Sequence, residues 1–213
     1  MTLALTDDHG TERAIEAVLF DMDGTIVDSI EATERIWRAW ALDHGVADQL
    51  EIAHGRPASV TVSSMLPHLS PEGHARALVE QQARETNDLD GVAATAGTLE
   101  LLAWLDEQGV PWAVVTSADA LLARARLAAS GIAPVEMVTI DDVGQGKPHP
   151  EPFLTGAGRL GIPVERCLVV EDTRAGVTSG RAAGAVTAGL GDLGADVRIL
   201  DMHDLRGRLA PPP

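Results

Sequence analysis

The chain has 213 residues, enough for one domain or for one domain with a modest insertion. Its 16 basic and 32 acidic side chains give a net charge of −16, which excludes the basic face that nucleic acid or an anionic membrane surface requires. With 45% hydrophobic and 23% charged residues the composition is that of a globular chain with a core of its own, and the single cysteine, Cys167, excludes an intrachain disulfide.

Residues 1–13 are polar and acidic, where a secretory leader would be basic and then apolar, and they read as a flexible tail. No apolar run approaches the ~20 residues of a membrane helix. With one thiol in the chain, a reducing, cytoplasmic setting is expected. Ala17-Val-Leu-Phe20 reads as a first strand. The stretch 30–92 has a character of its own: Ile36, Trp37 and Trp40 fall on one helical face, and His54-Gly-Arg-Pro57 and Leu69-Ser-Pro-Glu-Gly73 read as loops. It is predicted to be a small helical domain inserted after the first strand.

From Leu99 onward the pattern becomes regular. Predicted helices at 99–108, 121–130, 151–160 and 174–183 each stop at a glycine: Gly109, Gly131, Gly161 and Gly184. Each is followed by a short apolar run: 112–116, 137–140, 167–170 and 185–190. These runs are continuous rather than alternating, as in strands buried on both faces. The prediction is an α/β fold, a doubly wound parallel sheet built from 14–29 and 93–210, carrying the helical insertion 30–92. The proline tail 211–213 is expected to be disordered.

Ligands of open parallel sheets bind beyond the carboxyl ends of the strands. The first strand delivers Asp21-Met-Asp23-Gly24-Thr25 to that edge and the second delivers Thr116-Ser117. The third is followed by Asp141, Asp142 and Gly146-Lys147-Pro148, and the fourth by Glu171-Asp172. Loop polarity alone does not predict this collection of carboxylates with the only lysine of a chain that otherwise uses 15 arginines.

These segments resemble the four motifs of the haloacid dehalogenase superfamily: Asp21-Met-Asp-Gly-Thr-Ile-Val-Asp28, Val115-Thr-Ser117, Gly146-Lys-Pro148 and Val170-Glu-Asp-Thr-Arg-Ala-Gly176, in order and at matching spacing. The insertion resembles the small helical cap of one subgroup. Trp112–Ser117 and Gly146–Pro152 look most like its phosphatases of sugar and polyol phosphates, in the family that includes β-phosphoglucomutase. The resemblance implies Asp21 as nucleophile and metal ligand. It implies Asp23 as acid toward the leaving alcohol, then base toward water, with its carbonyl on the metal. Thr116 and Lys147 would hold phosphoryl oxygens, with backbone near Gly24. Asp172 would bind metal, with Glu171 as ligand or neighbour.

The chemistry agrees with that expectation. Close carboxylates need a cation, and an oxygen-only site with few protein donors suits Mg²⁺. A carboxylate attacks phosphorus to give an aspartyl phosphate, and cationic groups stabilise the phosphoryl group in transfer. His54, Arg56 and Ser117 are candidates for contacting the leaving group, a small phosphate ester. Asp28 is read as capping the next helix, Cys167 as core, and His149 as a loop residue.

The acid at Asp23 argues against dehalogenation. The absence of lysine from 30–92 argues against phosphonate hydrolysis through a Schiff base. Phosphosugar mutase is the runner-up, since Arg56 could hold a second phosphate. A phosphoacceptor receiver domain is the distant alternative, because there the acidic pair precedes the acceptor aspartate.

Overall fold

The computed structural model describes residues 1–50 and 56–211. Its centre is a six-stranded parallel sheet of β3 (Ala17–Phe20), β6 (Trp112–Val115), β7 (Glu136–Val138), β8 (Cys167–Glu171), β9 (Val186–Leu190) and β10 (Val197–Ile199). The strand order is β10-β9-β8-β3-β6-β7. After β3 the chain builds outward to β6 and β7, then returns to lay β8, β9 and β10 on the other side. The order therefore reverses at β3, and a crevice opens at its carboxyl end.

The continuous apolar runs are explained by two cores, one on each face. Val18, Phe20, Val114, Leu168 and Val170 point into one core, and Ala17, Leu19, Ala113, Val115 and Val169 into the other. Helices α4 (Thr98–Glu107), α5 (Ala120–Ala129) and α8 (Met202–Arg208) supply Leu101, Leu105, Leu127 and Leu205 to the first. Helix α6 (Glu151–Leu160) supplies Phe153 and Ala157 to the second, and α7 (Arg174–Ala183) ends on it at Ala183. The four glycines after α4, α5, α6 and α7 all have positive φ, between 62° and 94°. Cys167 is fully buried in the second core.

The helical segment consists, among the described residues, of α1 (Ile30–Asp43), α2 (Ala58–Met65), α3 (Pro71–Asn87) and a 3₁₀ turn at Ala47–Gln49. Trp37, Trp40, Val62, Met65 and Leu66 form its own apolar cluster, with the two indoles edge-to-face at 5.4 Å. The chain leaves through β4 (Val27–Asp28) and returns through β5 (Ala93–Ala94), which pair antiparallel. None of the described helices is long and apolar enough to cross a membrane.

Two expectations are corrected by the fold. Residues 1–13 are not a loose tail: β1 (Leu3–Thr6) pairs antiparallel with β2 (Glu12–Ile15) and with β11 (Leu209–Ala210). Leu3 and Leu5 are fully buried in the first core, and burial of two leucines anchors a strand that local sequence leaves ambiguous. Nor does Asp28 cap α1. The N-cap is Ser29, whose hydroxyl donates to Asp23 and accepts from no helix N–H.

Candidate active site

The turn after β3 starts the site. Gly24 has φ +80°, and a Cβ there would lie 2.1 Å from Oδ2 of Asp172. Only glycine lets the turn fold against the end of β8. That turn places Asp21 beside Glu171 and Asp172, whose carboxylates each offer an oxygen within 4.8 Å of the others. Lys147 enters from the loop before α6. Its Nζ donates to Oδ1 of Asp21 at 2.5 Å, to Oε1 of Glu171 at 2.7 Å and to the Val115 carbonyl at 2.8 Å. It also lies 5.0 Å from the centre of the Phe153 ring.

The electrostatics follow from burial. Burial and the neighbouring Glu171 carboxylate push Asp21 well above the usual carboxylate range, against the pull of Lys147. The same two causes push Asp172 up to about 7. Burial alone would lower Lys147, but Asp21 and Glu171 reverse this and hold it charged. Ionising all three carboxylates beside one ammonium would leave an excess of two negative charges in this buried cluster of oxygen donors, which is why burial and mutual repulsion push Asp21 and Asp172 up. This donor set fits a hard divalent cation. Glu171 is already engaged through both oxygens, Oε1 by Lys147 and Oε2 by the Thr173 N–H at 3.0 Å and its hydroxyl at 2.8 Å.

Asp23 is placed differently from the other three acids. Its Oδ1 accepts from the Ser29 hydroxyl at 2.6 Å and from the Arg126 guanidinium at 2.8 Å. Asp21, Glu171 and Asp172 cluster, and the Asp23 carboxylate faces these donors instead.

A cavity of about 320 Å³ lies between the sheet edge and the helical segment. Asp21, Asp23, Thr116 and Ser117 line it from below, and Thr33, Trp37, Arg56 and Gln82 from the helical side. Thr116 is buried, and its Oγ1 accepts from the Ala118 N–H at 3.1 Å. Gln82 donates to Oδ2 of Asp119 at 2.8 Å, joining α3 to the start of α5. His54 lies outside the described residues. Asp141 and Asp142 take no part in the acid cluster: Asp141 accepts from the Ala120 N–H, and Asp142 closes a capping box with Thr139. His149 belongs to its loop, its Nδ1 accepting from the Glu151 N–H.

Sequence reasoning missed Arg126, Glu85 and Ser29. One signal was present: Arg126 lies in the buried stripe of α5 with Leu122, Ala123 and Leu127, where an arginine needs a partner.

An open parallel sheet, an acidic site at its switch point and an inserted helical roof define a class of α/β enzyme. A model of haloacid dehalogenase-like hydrolases matches residues 15–184, and the chain belongs to that family. It is 41% identical to hexitol phosphatase A of Escherichia coli over 169 residues, 78% of each chain. It is 30% identical to glycerol-1-phosphate phosphohydrolase 2 of Saccharomyces cerevisiae over 191 residues, 83% of this chain and 74% of the relative. The fold matches a β-phosphoglucomutase from Clostridium difficile with a TM-score of 0.79 at 22% identity, over 88% of this chain and 92% of that one.

Proposed function

We propose that this protein is a Mg²⁺-dependent cytoplasmic phosphatase of small phosphorylated sugars or polyols, acting through an aspartyl phosphate on Asp21. The observation that carries the reading is the buried Asp21–Lys147–Glu171–Asp172 cluster, which meets the cavity at the switch point through Asp21. The carboxylates of Asp21 and Asp172, with the Asp23 carbonyl, would hold the metal. Glu171 holds Lys147 in place rather than serving as a ligand, since both its oxygens are engaged. When bound, the cation would offset charge on the transferring phosphoryl oxygens.

The chain's own residues carry the two steps. A carboxylate oxygen of Asp21 attacks phosphorus, and the bond from phosphorus to the leaving oxygen breaks. Asp23 gives its proton to that oxygen, and the alcohol departs. The Asp23 carboxylate then takes a proton from water, which attacks the phosphoryl group, frees inorganic phosphate and restores Asp21. Lys147, the Thr116 hydroxyl and the backbone near Gly24 bind the equatorial oxygens. The helical segment 30–92 acts as the cap, and Arg56 and Ser117, which line the cavity, face the alcohol.

The polyol class is supported by two relatives whose names specify a hexitol phosphatase and a glycerol-1-phosphate phosphohydrolase. The likeness to a mutase is one of fold. Phosphate release should be measured on a panel of sugar and polyol phosphates, with EDTA and with Mg²⁺ restored. Metal-dependent release, abolished in Asp21→Asn, is expected. Turnover that survives EDTA, or full activity of Asp21→Asn, would overturn the mechanism. Conversion of a hexose 1-phosphate to its 6-phosphate without free phosphate would replace phosphatase by mutase.

A further inference from the structure

Arg126 is the one arginine of α5 in the buried stripe, 4% exposed. Burying a guanidinium is costly unless several acceptors surround it. Here the acceptors come from three separate parts of the chain. NH1 donates to Oδ1 of Asp23 at 2.8 Å, on the turn after β3. NH2 donates to Oε1 of Glu85 at 2.9 Å, on α3, and to the Thr33 hydroxyl at 2.8 Å, on α1. Glu85 is itself buried, so the Arg126–Glu85 pair is no solvated surface pair. Its carboxyl is pushed up by burial and pulled back by Arg126.

We propose that Arg126 is a positioning residue: it holds the Asp23 carboxylate by Oδ1 and ties its orientation to the seating of the helical segment through Glu85 and Thr33. The inference rests on the phosphatase reading above. Both donors to Asp23, Arg126 and Ser29, fall on Oδ1. Oδ2 is thereby left to carry the proton toward the cavity that Asp23 lines. A planar fork suits this task, because one guanidinium engages two carboxylates on opposite walls. The acid would be aimed correctly only while α1 and α3 sit over the site, so that proton delivery and coverage of the substrate go together.

Removing Arg126 alone strands Glu85 as a buried, unpaired carboxylate, which threatens folding. The test therefore uses the double variant Arg126→Leu/Glu85→Leu, which replaces the pair by apolar groups, alongside Arg126→Lys, which keeps the charge and loses the fork. First-turnover rates should be measured by rapid quench on two esters. A hexitol phosphate leaves as an alkoxide that needs the Asp23 proton, whereas p-nitrophenyl phosphate leaves as a phenolate that does not. Both variants should lose about 100-fold on the hexitol ester and under about 5-fold on the aryl ester. Equal losses on both esters would reduce Arg126 to a structural role, and no loss on either would remove it from the reaction. Wild-type enzyme that cleaves neither ester would overturn the phosphatase reading and this inference with it.

Discussion

Lys147 is the only lysine in a chain with 15 arginines, and its surroundings explain the choice. Its side chain is 2% exposed, and its three donors meet Asp21, Glu171 and the Val115 carbonyl around a single nitrogen. A planar guanidinium spreads its donors over a wider fork and would have to displace one of these partners. Lys147→Arg should therefore lower kcat on the preferred ester by about 100-fold, as loss of one oxyanion-type donor does. Activity within a factor of about 2 of wild type would show that positive charge alone suffices here. Gly176 bears on the same contact from the other side. A Cβ at this position would lie 1.8 Å from the Glu171 carboxyl, so Gly176→Ala must displace the group that holds Lys147. Overpacking of this kind costs about 1–3 kcal/mol, which for a chain of this size lowers Tm by roughly 3 to 10 °C. Calorimetry and a kcat measurement check this together, and an unchanged Tm with full activity would mean that Glu171 moves freely. Lys147 was visible in the sequence because it stands alone in composition and sits beside a strand end. The Arg126–Glu85–Asp23 bridge was not, because its members lie 41 and 103 positions apart and meet only through packing.

At the scale of elements, legibility follows from how local the cause is. Helices that end at Gly109, Gly131, Gly161 and Gly184 announce themselves, since the left-handed turn is a property of one residue. The strand Leu3–Thr6 does not, because its near partner Glu12–Ile15 buries only Ile15 and shows no apolar pattern, and its other partner, Leu209–Ala210, stands at the other end of the chain. The two-residue strands at Val27 and Ala93 are too short to carry any pattern. The turn after β9 is closed by a more local device. Asp196 accepts from the Thr187 N–H at 2.9 Å and its hydroxyl at 2.8 Å, and pairs with Arg181 at 3.3 Å. Burial pushes its carboxyl up, but the Thr187 hydroxyl and N–H, with Arg181, outweigh it and hold the group below its ordinary value of 3.8. A depressed carboxylate contributes stability that is present above the unfolded value and is lost as pH falls through the folded one. Asp196→Ala should be less stable by about 1.5 to 3 kcal/mol at pH 7, leaving the buried Thr187 donors unpaired. In denaturant titrations the difference from wild type should shrink as pH drops below the ordinary carboxylate value. A gap that stays constant down to acid pH would show that the loss comes from packing and not from the anion.

For the whole molecule, the net charge of −16 and the chemistry at the site act over different distances. Within the crevice, Lys147 and a divalent cation would counter the clustered carboxylates, so a phosphate ester meets local attraction. Farther out, the excess of acidic side chains gives a negative field that opposes the approach of a dianion. Salt separates the two, because the Debye length shortens from about 30 Å at 0.01 M to about 8 Å at 0.15 M, screening the outer field before the buried site. Raising NaCl over this range at constant Mg²⁺ should therefore increase kcat/KM for a phosphate ester by roughly 2- to 5-fold while leaving kcat flat. Replacing the exposed Glu12 and Glu107 by lysine should raise kcat/KM at low salt and flatten its salt dependence, since neither residue lines the cavity. If kcat/KM instead falls as salt is added, attraction at the crevice already dominates the encounter, and the charge of the outer surface has no part in how the substrate arrives.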